Sequence, residues 1–240
     1  MGVRPLLLTA AAGALAALAA EPALAAAPGA GALTSDVART ALMLTFLALI
    51  PAILVSMTSF SRIIIVLAMV RHAFGMPETP PNAVLVSLAM FLTAFTMSPT
   101  LSALNKESLQ PMLAGRISVD RAMETGSRPL REFMLAQTRD QDIESIYAIS
   151  KTPLPQRPEE VEILKLAPAF ILNELRVAFT IGFIILLPFL LIDLVVSAIL
   201  LALGMMMVPP TTISLPIKLL MFVLIDGWRL VIEGVLGSFR

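Results

Sequence analysis

The chain has 240 residues, of which 58% are hydrophobic and only 14% charged, with a mean hydropathy of +0.89. A soluble globule carries more charge than this, so the composition points to a membrane protein. Its 17 basic and 17 acidic residues cancel without forming a basic stripe, which argues against nucleic acid as a partner. Zero cysteines and a single histidine, His72, exclude disulfide frameworks, thiolate centres and imidazole metal clusters.

Residues 1–25 read as a cleaved signal peptide. Arg4 gives a short positive start, residues 6–20 an apolar stretch, and Ala23-Leu24-Ala25 or Ala25-Ala26-Ala27 a small-residue cleavage pattern. The alternative is an uncleaved first span, but the apolar run is alanine-heavy and short against the roughly 20 residues that a span needs. Residues 26–39, with Gly29, Gly31, Ser35 and Asp36, then form an N-terminal leader.

Residues 40–104 read as a first helical hairpin. A helix over residues 41–70 would be about 45 Å long against a hydrocarbon core of about 30 Å, so it must tilt, bend at Pro51 or leave the lipid. Gly75, Pro77, Pro80 and Pro81 stop it in a turn. A second apolar stretch, residues 83–104, carries Pro99 near its end.

From residue 105 to residue 165 the composition changes, because 19 of the 34 charged residues fall here. This is a soluble insert. Its helical signals are Ser118 as a cap before residues 119–125, Ser127 with Pro129 opening a second helix, and Asp140 ahead of Ile143, Ile146 and Ile149. Pro153, Pro155 and Pro158 make a stiff linker. Residues 166–240 form a second hairpin: a helix from about Pro168 running into a span over about 179–203, a break at 204–212, and a last helix over about 213–232. The fold class is therefore an all-α membrane protein, with four membrane-length segments in two hairpins flanking a small helical extracytoplasmic insert. A cleaved signal peptide would leave both termini and the insert outside and the two hairpin turns, one bearing Arg71, in the cytoplasm.

Ionisable groups inside apolar segments cost about 2.5–3.5 kcal/mol each at a helix centre and are functional candidates for that reason. Here they are Arg62, Glu174, Arg176, Asp193, Lys218 and Asp226. They could pair between helices, as Asp193 with Lys218 or Arg62, form an ion relay, or face neighbouring subunits or an aqueous channel. Met205-Met206-Met207 puts three of the 14 methionines in one turn. Packing is the ordinary use of methionine; in an oligomer, a ring of such turns would make a deformable apolar constriction.

Enzyme chemistry finds no support. Asp140, Asp142 and Glu144 lack the glycine turn and bidentate glutamate of a calcium loop and read as a solvated helix start. His72 reads as a solvated turn residue. No nucleophile-elbow, zincin, Walker or dinucleotide motif is present, and no cofactor is implied.

Several strings together resemble one family, the FliP flagellar export-gate proteins, whose relatives serve type III secretion injectisomes. They are residues 57–67 (Met-Thr-Ser-Phe-Ser-Arg-Ile-Ile-Ile-Val-Leu), Thr79-Pro80-Pro81-Asn82, Met97-Ser98-Pro99 and Arg128-Pro129-Leu130-Arg131-Glu132-Phe133-Met134. Further along are Leu187-Pro188-Phe189-Leu190 with Asp193, Gly204 followed by the three methionines, Pro210-Thr211-Thr212-Ile213-Ser214-Leu215-Pro216 with Lys218, and Asp226-Gly227-Trp228. Pro209 departs from the family pattern, which has a small polar residue there.

The resemblance implies a subunit of the protein-export channel in the inner membrane at the base of the bacterial flagellum. Its implied partners are copies of itself in a homopentamer, the Q- and R-type export-gate proteins, other export-apparatus and basal-body proteins, membrane lipid, and unfolded secreted proteins in transit. Met205, Met206 and Met207 would form the pore gasket, and the buried charges would face neighbouring subunits. The alternatives are an injectisome gate subunit or, from a different class, a stand-alone ion-coupled transporter using Asp193 and Asp226.

Overall fold

The structure is a computed structural model and describes residues 55–76 and 78–239, together with residues 37, 40, 41, 44, 45, 48 and 51–53. The expected signal peptide lies outside the described residues, as does all of the leader except Val37. The chain divides into two compact units, Met1–Pro51 and Ala52–Arg240. In the first, the described residues are helical and exposed, and Thr45 Oγ1 donates to the Ala41 carbonyl at 2.9 Å. The second unit holds everything that follows.

Among its described residues the second unit has helices as its only regular secondary structure. Helix α1 (Phe60–Ala73) buries Ile63, Val66, Leu67 and Val70, a spacing that lines one helical face. The helix axis turns by 81° between the stretch ending at Met57 and α1. The residues just before Pro51, where a bend was one expectation, lie outside the described residues; this bend falls at Thr58-Ser59. Side-chain hydroxyls take over backbone partners here: Thr58 Oγ1 accepts from Phe60 N at 3.3 Å, and Ser61 Oγ donates to the Val55 carbonyl.

Helix α2 (Asn82–Thr96) turns Leu85, Ala89 and Thr93 inward and leaves Phe91 and Phe95 exposed. The stretch expected as one segment over residues 83–104 is broken. A 64° bend at Met97 separates α2 from α3 (Ser98–Leu104), because Pro99 has no N–H to continue the ladder and sits in the first turn of a new helix. The helical run then continues past residue 105 through a π-helical turn (Asn105–Leu109) into α4 (Gln110–Leu113), so the change in composition is not a break in the backbone.

Helix α5 (Val119–Gln137) is capped by Ser118, whose side chain accepts from Arg121 N. Two helices were expected here and one is found. Ser127 Oγ donates back to the Glu124 carbonyl at 2.7 Å instead of capping, and Pro129 is buried within the helix. Helix α6 (Asp140–Ile149) follows, then a loop containing a 3-10 turn (Pro158–Glu160), then α7 (Ile163–Ala202) of 40 residues. At 1.5 Å per residue α7 is about 60 Å long. The last helix expected, over 213–232, is two helices: α8 (Pro210–Leu224) and α9 (Gly227–Leu236), parted at Asp226, which has a left-handed φ of 52°.

Helix α7 is the spine. Its first turns join one core, where Leu166, Ala169 and Phe170 pack with Met134, Ile143, Tyr147 and Val161. Farther along, Ala178 and Phe189 enter a second core with the buried face of α1, Leu85 and Ala89 of α2, Phe222 of α8, and Val231 and Val235 of α9. Among the described residues α7 alone is long and apolar enough to cross a membrane. The bent pairs on either side of Thr58-Ser59 and of Met97 pass the same test only if each counts as one span, and α8 is shorter.

Candidate functional site

The turn between α7 and α8 begins with a defined stop. Gly204, at a φ of 75°, lets its N–H reach the Leu201 carbonyl and the Met205 N–H reach that of Leu200, both at 3.0 Å. This six-residue closure needs a left-handed residue after the helix, and glycine takes that conformation without strain. Met205, Met206 and Met207 then project with 43%, 80% and 96% of their surfaces exposed. These side chains are therefore not packed into the chain's own core.

Beneath the turn lies a buried ion pair. Lys218 Nζ on α8 donates to Asp193 Oδ2 on α7 at 2.6 Å and to the Ala73 carbonyl, the end of α1, at 3.1 Å. Lys218 is buried, Asp193 is partly open, and the buried Ser214 lies beside the carboxylate. The ring of Phe74, the residue after Ala73, meets Phe189 at 5.4 Å and Phe222 at 4.6 Å, both edge-on.

At the junction with the insert, Arg62 and Glu174 form a second pair with almost no solvent contact. Arg62 Nε donates to Glu174 Oε2 at 2.9 Å, and Nη2 reaches Oε1. Nη1 donates to the carbonyl and hydroxyl oxygens of Ser238, each at 2.9 Å, while the guanidinium lies 3.9 Å from the Phe239 ring centre. One arginine thereby ties α1, α7 and the segment after α9. Asn173 Nδ2 donates to the Gln137 carbonyl at 2.6 Å beside it, at the wall of a polar cavity of about 610 Å³.

Arg176 and Asp226 are placed differently. Arg176 is half-exposed and makes a two-point contact with Asp142, at 2.7 and 2.8 Å. Asp142 is itself buried, which corrects its reading as part of a solvated helix start: α7 lies across the first turn of α6 and covers it. Asp226 is exposed at the break between α8 and α9, where no other part of the chain covers it. A short polar side chain tolerates the left-handed conformation that such a break requires. His72 is exposed in the last turn of α1.

On the insert surface Arg128 donates to Glu132 Oε1 at 2.9 Å, and this bond raises the guanidinium pKa further. Arg131 donates to the Glu159 carbonyl. Among the described residues no three His, Cys, Asp or Glu side chains converge as a metal site would need. The sequence did not single out Gln137, Ser238 or the Ala73 carbonyl, because they are ordinary polar groups until a buried cation reaches them.

Comparison with known proteins shows the family. The FliP family model matches residues 43–235. A flagellar biosynthetic protein FliP of Pectobacterium carotovorum subsp. carotovorum is 51% identical over 201 residues, covering 84% of this chain and 78% of the relative. The Bacillus subtilis (strain 168) protein of that name is 44% identical over 205 residues, 85% of this chain and 93% of the relative. That of Caulobacter vibrioides is 44% identical over 212 residues, 88% and 79%. The chain belongs to the FliP family and is a membrane component of the flagellar export apparatus.

Proposed function

We propose that the protein is a structural subunit of the flagellar protein-export gate, forming with copies of itself and with Q- and R-type gate proteins the pore through which unfolded flagellar proteins cross the inner membrane. It carries out no chemistry of its own. The observation that carries this reading is the methionine turn: three flexible apolar side chains held out from a closed helix end, with 80% and 96% exposure at Met206 and Met207. In a ring of subunits such turns face one another and close around variable contents, because methionine has several rotors and a polarizable sulfur. The flagellar names of the relatives favour flagellar over injectisome export.

The layout follows from the same reading. Residues 40–104 and 166–240 are two hairpins that supply the membrane segments of a multi-pass protein, residues 105–165 are the extracytoplasmic insert, and residues 1–25 are a signal peptide followed by a leader over 26–39. Buried pairs such as Arg62 with Glu174 suit helices that pack against protein, where hydrogen bonds satisfy both charges.

Two measurements test the proposal. In cells carrying the assembled gate, replacing Met205, Met206 and Met207 together by Ala is expected to raise ion leakage across the inner membrane, while replacement by Leu is not. An unchanged conductance in the triple Ala variant would end the gasket reading. Deleting the gene in its own host is expected to abolish hook protein and flagellin in the medium while flagellin inside the cell persists, with a plasmid copy restoring export.

A further inference from the structure

We infer that Lys218 is a positioning residue for the methionine turn. By bonding Asp193 of α7 and the end of α1 at once, it fixes where the turn between α7 and α8 sits. The inference rests on the pore reading above and adds to it the element that holds the gate closed.

The turn cannot hold itself in place. Its three methionines are exposed, so its position is inherited from the last turns of α7 and the first turns of α8. Asp193 lies nine residues before the end of α7 at Ala202, and Lys218 lies eight residues after the start of α8 at Pro210. At 1.5 Å per residue the pair is about 12–14 Å from the turn, a little over two helical turns down the hairpin. A slip between the two helices at that level is passed on to the methionines by rigid helix.

The third bond makes the pair a reference point. The Ala73 carbonyl belongs to the last turn of α1, where backbone acceptors lack helical partners and the helix dipole favours a cation. Lys218 therefore references the hairpin to α1. The neighbouring aromatic contacts, through Phe74, Phe189 and Phe222, fall one turn away from Asp193 and Lys218 and hold the helices together without direction. An apolar residue at 218 would pack as well without the desolvation of a buried ammonium. What the lysine adds is register.

The test uses the complete gate complex carrying single variants, with complex yield and ion leak read separately. Lys218→Met, which keeps the stem and removes both bonds, is expected to assemble at normal yield and leak several-fold more than wild type with all three methionines present. Lys218→Arg, which can still reach both acceptors, is expected to restore the seal. A K218M complex that leaks no more than wild type, or a K218R complex that leaks as K218M does, overturns the inference. If K218M does not assemble, Asp193→Asn decides: it weakens the pair but leaves the bond to Ala73. An intermediate leak supports the inference, and a wild-type leak overturns it. The triple methionine variant reports on the pore reading independently.

Discussion

At the residue scale the burial of charge decides most of the chemistry. Arg62 and Glu174 satisfy each other and share further partners, so removing one leaves the other charged in a place without water. Glu174→Ala is expected to destabilise the protein by about 3–5 kcal/mol, read as a lower unfolding midpoint in detergent. Replacing both residues by apolar ones of similar volume should be less damaging than the single change, because no orphan charge remains. Arg128→Ala should leave the midpoint unchanged, since its pair with Glu132 is open to solvent. The sequence marked Arg62, Glu174, Arg176, Asp193 and Lys218 as unusual by their apolar surroundings. It offered Lys218 or Arg62 as the partner of Asp193, and Lys218 is the one found; it could not assign the other partners, and it misjudged Asp142, whose burial depends on whether another helix crosses it.

At the element scale, helices were legible and their breaks less so. Periodicity, proline and glycine located α1, α6, α7 and the turn at Gly204. The bends at Thr58-Ser59, Met97 and Asp226 were not foreseen, and Pro129 lies inside a helix instead of opening one. A proline only removes one hydrogen bond and adds a clash; whether the helix ends there depends on packing against its other faces. The α8–α9 corner shows this. A Cβ on Gly227 would run into the ring of Phe222, which is already fixed against Phe74 and Trp228. Gly227→Ala is therefore expected to lower stability by about 1–3 kcal/mol. Gly204→Ala should cost about 1–2 kcal/mol through its left-handed φ, with no steric conflict around it, and both changes are measurable by the same unfolding assay.

At the scale of the whole molecule, one continuous helix joins the core around Phe170 to the core around Phe189, so a disturbance in either is felt along α7. The proposed topology places the insert and the α1–α2 turn on opposite sides of the membrane. Because the chain has no cysteine, single cysteines can report on this directly. Ser145→Cys on α6 and Glu78→Cys in the turn are both exposed positions. An impermeant maleimide is expected to label the first in intact cells with the outer membrane opened, and the second only after the inner membrane is breached. Labelling of both from one side would overturn the layout.

By itself the sequence determined the membrane character, the helical class and the family, because hydropathy, periodicity and ordered motif strings are local properties of the chain. The tertiary structure decided which charge meets which and where helices bend. Arg62 and Glu174 stand 112 residues apart, and Lys218 and Ala73 stand 145 apart. A buried charge accepts any partner of the right geometry, so only the packing of α1, α7 and α8 selects one. The same packing settles whether a proline or an aspartate ends a helix, since local preferences of about 1–3 kcal/mol are smaller than the burial they compete with.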